Sequence, residues 1–182
     1  MLAVARGDGA RGSLAAMGEI YERRHRALFR FFFRLTARQS PAEDLTHEVF
    51  LRMIRYRHTY KAGEAFEAWM YRIARNVFAD YTKKHRLEAP AGEGQLEMAE
   101  SPRPTPLDAA LKQQDLALLY RALRALPDDR RELIVLSRYQ GLSCEQIGRI
   151  VGCETGTVKV RMFRAMKEMG RIFHDLRQEK AS

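Results

Sequence analysis

Residues 142–165 read LSCEQIGRIVGCETGTVKVRMFRA and hold both cysteines of the chain, Cys144 and Cys153. Two chemistries are open to such a stretch. Thiolates can hold a metal or exchange disulfides. Lysine and arginine beside an aromatic can grip nucleic acid. Spacing separates them. A structural zinc site needs about four ligands in a tetrahedral array. Neither cysteine belongs to a CxxC pair, and His174 is the only histidine nearby in sequence. A free cysteine commonly packs as a small apolar side chain. The expectation is therefore two packing cysteines, no metal and no cofactor.

The basic residues fit a pattern better. Ser143 to Gln146 reads as a capping box, so a short helix begins after Ser143. Ile147, Ile150 and Val151 give it an apolar face. Gly152 ends it, as a residue able to take a positive φ. A second helix starts near Thr155, with Val158, Met162, Ala165 and Met169 on one side at 3.6 residues per turn. The other side shows Val160, Phe163, Arg164 and Lys167, with Gly156 and Lys159 at its edge. A short helix, a tight turn and a helix with a basic outer face form the helix-turn-helix layout. From Arg130 to Arg171 nine basic residues stand against four acidic ones, a net charge of +5. A plain helical hairpin with a solvated basic face is the competing reading at this point.

These helices need a frame. The chain has 182 residues, a formal charge of +9 and two cysteines. That balance favours a polyanionic partner and excludes a disulfide scaffold. The densest apolar run, LFRFFFRL, is short and broken by arginines, so no membrane span is expected. No signal-peptide core opens the chain, and a cytoplasmic setting is expected. Residues 1–16 read as a loose extension, with Met17 opening the first patterned segment.

From there the apolar positions recur at helical spacing. Ile20, His25, Leu28, Phe32 and Leu35 form one stripe. Ser40 as N-cap, Pro41 and Glu43 then announce a helix with Leu45, Val49, Met53 and Tyr56 on one side. A turn at Gly63 leads to a helix through Phe66, Trp69, Met70, Ile73, Val77 and Tyr81. Residues 87–106 are dense in proline and glycine, and from Arg86 to Asp108 five acidic residues outnumber two basic ones, a net −3. Thr105 and Pro106 start a helix through Leu111, Leu116, Leu119 and Leu123. Pro127 starts the next, with Gly141 as its C-cap. The fold class is all-α: two small helical domains, 17–86 and 107–176, joined by a flexible acidic linker over 87–106, with a tail at 177–182.

The helix through Trp69 leaves two readings open. Phe66, Trp69, Tyr71, Phe78 and Tyr81 are core candidates. The same helix carries Arg72, Arg75, Asn76, Lys83 and Lys84, followed by Arg86, and aromatics among basic residues also suit a single-strand binder.

Three segments in order, AEDLTHEVFLRM, FEAWMYRIARNVFADY and ALPDDRRELIVLSRYQGLSCEQIGRIVGCETGTVKVRMFRA, resemble a bacterial extracytoplasmic-function (group IV) sigma factor. The resemblance runs from about residue 19 to 172. It implies a sigma factor that binds core RNA polymerase, directs it to −10 and −35 promoter elements and promotes melting. Asp44, Leu45, Glu48, Val49, Phe50 and Met53 would dock on the clamp of the β′ subunit, with the β flap as a second contact. Lys61, Phe66, Trp69, Tyr71, Arg72, Asn76, Asp80, Lys83 and Lys84 would lie at the −10 element, where a base is flipped from the stack. Thr155, Gly156, Thr157, Lys159, Val160, Arg161, Phe163, Arg164 and Lys167 would lie at the −35 duplex. Within that set Thr157 and Arg161 suit phosphate contacts. The acidic linker would thread near the template strand and the RNA exit path. The resemblance further implies promoter DNA and an anti-sigma factor as partners, no small-molecule substrate, and no enzyme activity. No P-loop is present to hydrolyse a nucleotide. The alternative is a one-component helix-turn-helix regulator without polymerase binding. His47 departs from the usual Gln of the clamp segment. Gly148 departs from the usual Ala, at an expected cost of about 0.5–1 kcal/mol.

Overall fold

The computed structural model describes residues 10–61, 63–85 and 106–181. The chain divides into two units, Met1–Gly92 and Glu93–Ser182. Every regular element among the described residues is helical. The expected linker at 87–106 lies outside the described residues up to its last position, Pro106.

The first unit holds α1 (Ala10–Thr36), α2 (Gln39–Arg55), one 3-10 turn (Arg57–Thr59) and α3 (Phe66–His85). α1 opens at Ala10, ahead of Met17; residues 1–9 lie outside the described ones. Its core face is Leu28, Phe31, Phe32 and Leu35. Ile20 and His25, expected on the same stripe, are half-buried at its N-terminal end. α2 adds Ala42, Leu45, Thr46, Val49, Phe50 and Met53. Tyr56 does not extend that stripe; it closes the helix as C-cap and stays exposed. α3 completes the bundle with Ala68, Trp69, Met70, Tyr71, Ile73, Ala74, Val77 and Phe78.

Ser40 is not the cap of α2. Ala37, at φ 54°, turns the chain in the left-handed region between α1 and α2. The helix therefore begins early, at Gln39, with extended Arg38 as a cap that makes no side-chain bond. Pro41 still falls in the first turn, where its missing N–H costs nothing. Glu43 accepts from the Gln39 amide at 2.9 Å instead of closing a capping box.

The second unit holds α4 (Pro106–Ala125), α5 (Asp128–Ile134), a π turn (Val135–Tyr139), α6 (Cys144–Val151) and α7 (Thr155–Ala181). α4 buries Leu118, Ala122 and Leu123, whereas Leu119 is half-buried and Leu116 exposed. The side chain of Leu111 lies outside the described ones. Pro127 is the N-cap of α5, one position before the first helical residue. Arg131 ties the two helices: its guanidinium donates to the carbonyls of Leu123, Arg124 and Leu126 at 3.2, 2.8 and 2.9 Å. These carbonyls lie at and just past the end of α4, where helix carbonyls lack their usual intrahelical partners. Burial lowers the Arg131 pKa, partly countered by Asp128. The π turn buries Val135 and Leu136 directly after Glu132, Leu133 and Ile134, five consecutive buried residues that no single helical period would place inside.

Candidate nucleic-acid interface

The hairpin of α6 and α7 is built by local rules. The Ser143 hydroxyl accepts from the Gln146 N–H at 3.2 Å, and the Gln146 amide oxygen accepts from the Ser143 N–H at 2.8 Å. The capping box is thus complete. Ile147 and Ile150 are buried and Val151 half-buried. Gly152 takes φ 73°, ψ 38° and donates to the Gly148 carbonyl at 2.8 Å; the Cys153 N–H donates to the same oxygen at 3.1 Å. The turn folds back so tightly that a Cβ on Gly148 would stand 2.6 Å from the Cys153 carbonyl oxygen. Gly148 is therefore not merely a helix-weakening substitution, as its departure from Ala suggested; it lets the turn close against α6. Cys144 and Cys153 are free and half-buried.

α7 carries two faces. Val158, Met162, Ala165 and Met169 are buried. Opposite them Val160 is 50% exposed and Phe163 70% exposed. Gly156, Thr157, Lys159, Arg161, Arg164 and Lys167 are exposed, and Thr155 is half-buried. Among the described residues, none of these four cations forms an ion pair, whereas Glu168 on the flank pairs with Arg130 of α5. A helix with free cations, a valine and a bare phenylalanine on its outer side has the dimensions and groups for a major groove. All nine residues expected at the −35 duplex thus lie on one helix, eight of them exposed.

The first unit matches its expected sites less well. Leu45, Val49, Phe50 and Met53 are buried in its core, so of the six clamp residues only Asp44 and Glu48 present side chains to solvent. The exposed side of α2 carries Leu51 (61% exposed) and Ile54 (38% exposed) on the same side as these acids and His47. Their spacing from the stripe Leu45–Val49–Met53 was the available signal: they fall on the opposite side at 3.6 residues per turn.

On α3, Trp69 is a buried anchor. Its indole N–H donates to the Thr59 hydroxyl at 3.0 Å, and its ring meets Tyr60 and Phe66 at 5.4 and 5.9 Å. It pins the turn before α3 and presents no free ring face. Tyr71 points the other way, packed edge-on against Phe31 of α1 at 5.4 Å. Burial pushes its hydroxyl well above the usual tyrosine range. Phe66 is half-buried beside Tyr60. The exposed side of α3 shows Asn76, Asp80, Lys83 and Lys84, with Arg72 half-buried beside them and Lys61 exposed in the preceding loop. Arg72 pairs with Glu64 at 3.0 Å. Asp80 is bound by Arg52 at 2.7 Å, and the same guanidinium holds Glu48 at 2.6 Å. Arg52, absent from the sequence-derived set, thus links the exposed acid of α2 to that of α3. Among the described residues no group of three or more His, Cys, Asp or Glu could hold a metal ion, and no helix is long and apolar enough to cross a membrane.

Residues 20–88 match Sigma-70 region 2, and residues 116–169 match Sigma-70, region 4. The chain is 32% identical over 165 residues to the ECF RNA polymerase sigma factor BldN of Streptomyces coelicolor, covering 90% of this chain and 62% of that protein. It is 30% identical over 171 residues to the RNA polymerase sigma factor CarQ of Myxococcus xanthus, covering 93% and 96%. This chain therefore spans just under two thirds of the length of BldN and nearly all of CarQ. Among solved structures, the sigma factor RpoE in complex with the anti-sigma factor NepR from Bartonella quintana superposes with a TM-score of 0.71 at 23% identity, covering 87% of this chain and 97% of that one. That likeness is one of fold.

Proposed function

The chain belongs to the sigma-70 family of RNA polymerase sigma factors, in its extracytoplasmic-function group, and from that premise we propose that it is a promoter-specificity subunit: it binds core RNA polymerase, brings it to −10 and −35 elements and promotes opening of the duplex. The observation that carries this reading is the outer face of α7, where exposed Lys159, Val160, Phe163 and Arg164 stand opposite a buried stripe.

Each face has a task. Arg164 and Lys159 donate to guanine O6 and N7, while Val160 and Phe163 meet thymine methyls. Thr157, Arg161 and Lys167 reach phosphates, and the first turn of α7 at Thr155 and Gly156 adds backbone donors. In the first unit Arg72, Asn76, Lys83 and Lys84 follow the separated strand at the −10 element. Trp69 acts beneath them by holding the loop that carries Lys61. The clamp contact is made by Asp44, Glu48, Leu51 and Ile54, a small apolar centre with acidic flanks. Leu45, Val49, Phe50 and Met53 support that face from inside. Binding free energy alone opens the strands, so the chain is not an enzyme, works in the cytoplasm and takes no cofactor. An anti-sigma factor is the expected partner outside transcription, as for the RpoE captured with NepR.

Run-off transcription with core polymerase on a candidate promoter tests this. Assembly with core and a discrete transcript are expected. A chain that binds duplex DNA but not core would instead be a one-component regulator. That reading leaves the whole region 2 match at residues 20–88 without a task.

A further inference from the structure

The outer side of α1 has no part in the assignments above, yet among the described residues it carries a row of exposed arginines. Arg23, Arg26 and Arg30 are exposed and fall within about 60° of arc on the helix, one cation per turn of about 5.4 Å. Arg38 is exposed just past the helix end. Among the described residues of α1, the acids on this side stand near its start: Glu19, 3.8 Å from Arg23, and Glu22. Along its edge run Phe29 and Phe33, half-buried, their rings stacked at 5.8 Å with an interplanar angle of 24°. The buried side chains of this helix, Leu28, Phe31, Phe32 and Leu35, lie on its other side.

Resting on the promoter-opening role, we propose that this face is a second binding track for single-stranded DNA, in which Arg26 and Arg30, with Arg23 and Arg38, hold phosphates while the exposed edges of Phe29 and Phe33 receive a base. Charge complementarity sets the class of partner. Every cation in the row is arginine, whose planar fork matches a phosphate in a bidentate way. The ring pair beside the row selects the single strand, because stacking needs unpaired bases and tolerates any sequence. α1 packs directly on α3, where Phe31 meets Tyr71 edge-on at 5.4 Å and Arg24 pairs with Glu67. The row therefore lies on a neighbour of the helix that carries Arg72 and Asn76, and a strand freed there has a cationic surface to continue along.

The test uses the full chain with a fluorescent oligothymidylate strand and a fluorescent hairpin duplex, each titrated over a range of salt. The double variant Arg26→Gln/Arg30→Gln is compared with the wild type and with Arg26→Lys/Arg30→Lys. The Gln pair should make the salt slope on the single strand shallower by about 1.4, two phosphate contacts at about 0.7 each. The Lys pair should keep the wild-type slope. An unchanged slope with Gln overturns the proposal, as does a change seen on the duplex alone. Loss of core polymerase assembly with an unchanged strand slope also overturns it, by making the face a protein contact. Failure of the wild type itself to assemble with core would sink the sigma reading instead, and the strand titration, done without core, is read separately.

Discussion

Arg164 and Tyr71 show how differently single residues gave themselves away. Arg164 lies four positions from Val160 and one from Phe163, and the apolar period of α7 alone put it outside. Replacing it with Ala should weaken binding to the −35 duplex by about 1–3 kcal/mol, roughly fivefold to 150-fold. Core binding should be unaffected. A duplex titration beside a core pull-down measures both; equal loss of both would make Arg164 structural. Tyr71 sits two residues from Trp69 and was read as a −10 contact, but it packs on Phe31. Nothing in a local pattern of aromatics says which side α1 covers. Its burial predicts a pH effect. The folded-state pKa is raised above the usual 10.0. The hydroxyl is thus neutral in the fold after the unfolded chain would have ionised it. Its contribution is complete below about pH 10 and is lost as pH rises further. Tyr71→Phe should flatten the alkaline fall in melting temperature of the first unit. An identical fall in both proteins would remove Tyr71 as its source.

Elements governed by contacts a few residues apart were legible: the capping box at Ser143, the left-handed Gly152 and the two faces of α7. Elements set by the chain's return on itself were not. The early start of α2 depends on the left-handed Ala37. The π turn after Ile134 answers to packing on both sides of α5 rather than to any period. Gly148 belongs to this second class. From helix propensity alone, Gly148→Ala should stabilise α6 by about 0.5–1 kcal/mol. The 2.6 Å approach of the Cys153 carbonyl reverses the expected sign, because a backbone oxygen in a closed turn cannot yield as a flexible side chain can. Gly148→Ala should lower the melting temperature of the second unit. Gly170→Ala, on the open side of α7 with nothing within 4 Å, should raise it slightly. Differential scanning fluorimetry of the two variants decides between the propensity and the contact. If Gly148→Ala melts higher than the wild type, the turn has relaxed and the contact carries no weight.

Across the whole molecule, the two-unit, all-helical organisation followed from apolar periodicity and from the shift in composition at 87–106. The buried and exposed faces of α7 followed too, because one helical period sets both. The first unit resisted because its face is shared: which side of α2 meets solvent is decided by α1 and α3, and the six residues picked from α2 were mostly those that these helices cover. Leu51 puts this to a test that involves both units. It is 61% exposed and distant from the core stripe, so Leu51→Asp should leave the helical content and melting temperature close to wild type. A charge at the centre of an apolar docking patch should cost about 2 kcal/mol or more of core binding, a loss near thirtyfold. Binding of a −35 duplex, proposed for α7 in a different unit, should not change. Combined with Arg164→Ala, each loss should keep its single-variant size in its own assay, since the two residues lie in separate units. Retention of full core affinity in Leu51→Asp would return the clamp contact to a surface other than this side of α2. Loss of duplex binding in the same variant would mean that the two units do not act independently on DNA.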